Sequence, residues 1–215
     1  MRSDMGIIGL FNNFAWKTVN HHFESQCQKR IKNSGFTILC PNCIGGIIYH
    51  RLGMQFLSPT VNLYTYQNDF IKLIHNPEWY MEQDLVFIQS EHTFPVAKLG
   101  DITLYFNHYK TPEDAEGCWE KRKKRIVWEN LYIIMYEREQ FTREQILDLQ
   151  SVKCKRLIVL TEHKTHTDLD FVKYIKRSNK GRPDEQVFLD VDKFGIKTFE
   201  KQFDFVAWLN GDPLK

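Results

Sequence analysis

Between residues 131 and 209 the apolar positions fall into short dense runs that alternate with stretches of helical spacing. Residues 131–136 and 157–160 are nearly continuous apolar runs and read as strands, as does 186–189. Thr142 followed by Gln145 has the form of a capping box and predicts a short helix between the first two. Leu169, Val172 and Ile175 keep helical register and predict a helix over 168–176, and a final helix over 199–209 ends at Asn210-Gly211. Strands that alternate with helices predict a parallel sheet covered on both sides, because parallel neighbours need crossover connections.

The first half of the chain is less regular. Trp16, Val19, Phe23, Cys27 and Ile31 recur every three or four residues, which predicts an amphipathic helix stopped by Asn33-Ser34-Gly35. Residues 36–40 then form an apolar run suited to an interior strand, and Pro41 ends it. Gly45 and Gly46 suggest a tight turn, after which Ile47, Ile48 and Leu52 suit one or two helical turns closed by Gly53. Residues 61–66 read as extended, with Tyr64 and Tyr66 either on one face of a strand or lining a cleft. Asn68 or Asp69 is expected to cap a helix through Phe70, Leu73 and Ile74, with Pro77 next to its end.

The runs 85–89, 94–99 and 102–106 are β-prone, and Gly100-Asp101 predicts a hairpin between the last two. These add an antiparallel edge or insertion, so the expected fold is α/β with a mainly parallel, Rossmann-like sheet. Thr111-Pro112-Glu113-Asp114 opens a helix that ends in the basic run 120–125. That acid-to-base order complements the helix dipole. Ala115, Trp119, Arg122 and Ile126 share one face of it, with Arg125 at the margin, so Arg122 needs either a carboxylate of the chain or an anionic ligand group. Residues 178–184 are the expected mobile loop.

Composition narrows the reading. A chain of 215 residues with 42% hydrophobic residues fits one α/β domain over 1–215, and a formal charge of +2 argues against nucleic acid as partner. No stretch approaches the ~20 apolar residues of a membrane span and no signal-peptide pattern opens the chain, which predicts a cytoplasmic protein. Five cysteines are an odd number without a framework and suit reduced thiols. Cys40 and Cys43 have the spacing of a redox pair, but no second pair or spaced histidines accompany them, which argues against a metal. Nothing in the residues points to a cofactor or an oligomeric state.

Ligands of open α/β sheets bind beyond the carboxyl ends of the strands. Those ends carry Asn42, Cys43, Gly45 and Gly46, then His108 and Tyr109, then Glu137, Arg138, Glu162 and His163. Cys43 leaves a strand at a helix N-terminus, a place that favours a thiolate, and His108 is a candidate base.

Asn42-Cys43-Ile44-Gly45-Gly46 with Tyr49, then Phe56-Leu57-Ser58-Pro59, then His108-Tyr109 followed by Trp119, Arg122 and Arg125, resembles a bacterial family of unknown function. Its members are often labelled exopolysaccharide or capsule biosynthesis proteins. The resemblance covers roughly 36–163 and implies an α/β protein that works on cell-surface polysaccharide. Two classes of function follow. In the first the chain is a transferase or hydrolase in which Cys43 is the nucleophile or a polar site residue, His108 the general base, and Arg122 with Arg125 an anion clamp. In the second it binds a small sugar phosphate or nucleotide sugar without chemistry, through Asn42, Gly45, Gly46, Tyr49, Tyr109 and the arginines.

Overall fold

A computed structural model describes residues 4–177 and 190–213, with side chains from residue 16 onward. The described residues form two compact units, one of residues 34–50 and 54–174, the other drawn from 1–33, 51–53 and 175–215.

The larger unit is a mixed α/β fold with two sheets. Strands β1 (Thr37–Leu39), β5 (Leu131–Glu137), β6 (Arg156–Thr161) and β7 (Val172–Tyr174) pair in that order, all parallel. Strands β2 (Leu85–Ile88), β3 (Val96–Leu99) and β4 (Ile102–Tyr105) form an antiparallel sheet. Every residue of β5 is buried, which is why it reads as a continuous apolar run. Gly100, at φ +58, occupies the first central position of the two-residue β3–β4 turn, where a left-handed conformation is required. Leu39, Ile133 and Val159 from one sheet and Ala97, Leu99 and Leu104 from the other share a core with Phe70 and Trp119.

Helices α5 (Pro112–Lys123) and α6 (Arg143–Asp148) begin where their caps predict. The Thr111 hydroxyl accepts the Asp114 amide, and Thr142 with Gln145 makes a reciprocal capping box.

Four expectations are corrected. Strand β1 stands at the edge of the described sheet, not in its interior. It is nonetheless fully buried, because side chains satisfy its outer backbone groups. The helix expected over 168–176 is instead β7. Phe171, Val172 and Tyr174 are β-formers, and pairing Val172 with Val159 and Tyr174 with Thr161 closes the open edge of β6, a tertiary gain that outweighs the helical spacing.

Helix α3 (Gln67–His75) is not capped by Asn68 or Asp69. Asp69 accepts the Thr103 amide at 2.9 Å, and the buried Gln67 takes the amides of Arg138 and Glu139. Pro77, expected only to follow a helix, is the first residue of another, α4 (Pro77–Glu82).

The fourth correction lies in the smaller unit. It contains α1 (Asp4–Arg30), α7 (Thr198–Gln202) and α8 (Phe205–Asn210), so the expected single helix over 199–209 is two. Phe203 is extended, and the Asp204 side chain accepts the Ala207 amide, which starts a new helix in place of continuing the old one. Gly211, at φ +86, closes α8 as expected. The strand expected over 186–189 and the loop expected over 178–184 lie outside the described residues.

Candidate functional site

The site is built on the junction of β1 with α2 (Ile44–Arg51). Cys43 is the residue that starts the helix, since its carbonyl accepts the Ile47 amide at 3.0 Å. Asn42 Oδ1 accepts the Ile44 amide at 3.0 Å and the Cys40 thiol at 3.2 Å, so one buried side chain ties the strand end to the helix start.

Gly45 and Gly46 are not a turn. They sit in the first turn of α2, with neither at positive φ. A Cβ on Gly45 would lie 3.4 Å from Cys40 Cβ and 3.5 Å from Ile38 Cγ2, and one on Gly46 would lie 3.2 Å from Val61 Cγ1. The glycines therefore let the helix lie close against β1 and the 56–61 loop. Gly53, at φ +64, ends the α2 segment as the sequence predicts.

His108 reaches the same place from the antiparallel sheet. After β4, Phe106 is buried and its carbonyl accepts the Tyr109 amide at 2.9 Å, a turn that presents His108 outward. Cys43 Sγ lies 3.3 Å from His108 Nε2. His108 is exposed and Cys43 half-buried, so the pair is open to solvent. It is a dyad, because among the described residues no carboxylate hydrogen-bonds to His108.

Cys40 is the opposite case. Burial pushes its thiol up to about 12 despite nearby amides of Asn42, Gly45 and Ile44 that lower it, so it stays protonated in the core. The two thiols of the Cys-Pro-Asn-Cys run thus have different environments, one sealed and one at the surface. Among the described residues no group of three or more His, Cys, Asp or Glu is arranged to hold a metal ion.

The outer edge of β1 is closed by side chains. The Tyr49 hydroxyl accepts the Ile38 amide at 3.0 Å and donates to the Phe36 carbonyl at 2.9 Å, while Thr60 Oγ1 accepts the Cys40 amide at 3.2 Å. Together they stand in for a neighbouring strand. Tyr49, expected at a ligand, is fully buried and stacks on Phe36, where it holds the strand. Asn42 and Gly45, also expected at a ligand, are buried as well, and Asn42 holds the helix start beside Cys43.

Among the described residues Arg122 has no carboxylate partner. Its Nη1 donates to the Val61 carbonyl at 2.7 Å and to the Tyr109 hydroxyl at 2.6 Å, and the guanidinium lies over the Phe56 ring. Among the described residues, Nη2 and Nε have no protein acceptor. Burial raises the Tyr109 phenol, against the lowering influence of Arg122. Arg125 Nη1 approaches the Phe56 carbonyl at 3.4 Å, which puts both arginines on the loop that covers β1.

The polar residues at the ends of β5 and β6 serve their loops. Buried Glu137 accepts the Phe141 amide at 2.7 Å and the Thr161 hydroxyl, and Glu162 accepts from Tyr136. Thr60, which closes the β1 edge, was not singled out by the sequence, and Ser58, which bonds Thr60, stood there only as part of the Phe56–Pro59 motif. Their one signal is that two hydroxyls flank a proline within a run of strand-like residues.

Fold and site together define an α/β protein with a surface cysteine–histidine dyad at the carboxyl end of a parallel edge strand. The chain belongs to the family described as Domain of unknown function (DUF1919), whose model matches residues 15–210. It is 33% identical over 183 residues to a Haemophilus influenzae protein described as "Uncharacterized protein", a match that covers 85% of this chain and 88% of that protein.

Proposed function

We propose that the chain is a thiol-dependent transferase in the assembly of cell-surface polysaccharide, acting on an anionic or activated sugar substrate. The observation that carries this reading is the 3.3 Å contact of Cys43 Sγ with His108 Nε2. His108 takes the thiol proton and the thiolate attacks the substrate carbon that bears the leaving group. The bond from that carbon to the leaving group breaks as the leaving group takes the proton from His108. An acceptor hydroxyl then gives its proton to His108 and displaces the thiolate, which restores the dyad. Arg122, through Nη2 and Nε, and Arg125 beside it hold the phosphate or carboxylate of the substrate. The substrate class rests on the resemblance carried by the Asn42–Gly46, His108-Tyr109 and Trp119, Arg122, Arg125 motifs.

A second reading, binding of a sugar phosphate or nucleotide sugar without chemistry, is favoured by the lack of a carboxylate behind His108 among the described residues. Intact-mass and melting measurements with nucleotide sugars, sugar phosphates and acyl-CoA separate the two. The transferase reading expects a covalent increment on the wild-type chain that Cys43→Ser abolishes. A raised melting temperature with no increment supports binding alone.

A further inference from the structure

On the outer side of the antiparallel sheet, apolar and aromatic side chains stand in register: Ile88 pairs with Val96, Val96 with Tyr105, and Tyr105 with Tyr64 through a bridge on the free edge of β4. Val96 is buried, Tyr64 and Tyr105 are half-buried, and the exposed members lie at the two ends. Ile88 is 40% exposed and Tyr66, which follows on the same face, 43%.

The rings form a step. Tyr64 and Tyr105 stack with centroids 4.7 Å apart and planes 4° from parallel, while Tyr66 stands at 89° to one and 88° to the other. Phe94 packs its edge on Tyr64, and the Arg138 guanidinium lies over the Tyr66 ring at 5.4 Å.

We infer that this step is a binding platform for a saccharide chain. A pyranose offers C–H groups on its faces and hydroxyls around its rim. The step offers ring surface bordered by phenol hydroxyls that, among the described residues, have no protein partner, and by a guanidinium. The core of a protein interface is depleted of lysine, whereas Lys98, bonded to Thr103, lies on this side of the sheet.

The platform also joins the dyad. Thr65, between the two tyrosines, donates its amide to the Pro41 carbonyl at 3.0 Å, two residues before Cys43. The inference rests on the saccharide reading above for its class of probe and on the ring geometry for its place.

The test is calorimetric titration of the full chain with cellohexaose, maltohexaose and a hyaluronan hexasaccharide, with single-stranded oligothymidylate as the competing class. At least one saccharide is expected to bind. Tyr66→Ala should weaken it by about ten-fold or more and Arg138→Ala by several-fold, with Val86→Ala unchanged. Cys43→Ser should leave binding intact, so that failure of the chemistry and failure of the platform are read separately. Binding of none of the three saccharides, binding indifferent to both Tyr66→Ala and Arg138→Ala, or binding of the oligonucleotide in their place would overturn the platform.

Discussion

Cys43 and His108 meet at 3.3 Å although 65 residues separate them in the chain. Each is placed by a rigid neighbour: Cys43 by the Asn42 clamp at the start of α2, His108 by the turn that follows the buried Phe106. The contact therefore depends on both sheets, and substitutions that loosen either should be felt at the thiol.

Tyr49→Phe removes the one hydroxyl that serves both the Ile38 amide and the Phe36 carbonyl, leaving two buried backbone groups unpaired. Stability to urea should fall by about 1–3 kcal/mol. A loss within a few tenths would mean that water or a neighbouring chain segment already closes the β1 edge.

Gly45→Ala runs the other way. The added methyl meets Cys40 and Ile38 at ordinary contact distance, and alanine is the better helix former, so the variant should be neutral or more stable by up to about 1 kcal/mol. A clear destabilisation would show that α2 cannot give even slightly against β1.

Arg51 forms a buried network with Glu200, at 2.7 Å, with Glu24 and with Asn20. Arg51→Met strands the Glu200 carboxylate, itself 5% exposed, and should cost about 3–5 kcal/mol. Pairing it with Glu200→Leu should recover a substantial part. Denaturation of the two single variants and the double variant measures the coupling, and simple additivity would contradict it.

Three thiols should give the protein an alkaline limit. Burial raises Cys40 to about 12 and Cys27 and Cys154 to about 11, each from an ordinary 9.0. Because the folded values lie above the unfolded ones, their contribution is fully present below pH 9 and is lost as pH rises toward 11 to 12. The urea midpoint should fall steeply over that interval. Cys40→Ala should flatten the slope by about 1 kcal/mol per pH unit; an unchanged slope would mean that Cys40 ionises without unfolding.

Much of this was legible in the residues, and the exceptions share a cause. The caps at Thr111 and Thr142, the Gly100 hairpin and strands β5 and β6 follow from local chemistry that the fold does not contest. Residues 168–176 were misread because β7 exists to satisfy the edge of β6, a partner that periodicity does not reveal. Asp69 left its capping role for a distant amide on β4 for the same reason. At the site, the residue types at the strand ends marked Cys43 and His108. That Tyr49, Asn42 and Gly45 are buried was not legible, because a residue that shapes a site and one that lines it leave the same mark in a sequence.

The central claim is that His108 activates Cys43, and the most direct measurement is the alkylation rate of that one thiol by iodoacetamide at pH 7, followed by peptide mass in the wild type and in His108→Asn. Cys40 is sealed in the core and serves as the internal control for unfolding. If the dyad works as described, Cys43 reacts first and the substitution slows it by about ten-fold or more while Cys40 remains unmodified. Equal rates with and without the imidazole would contradict the account.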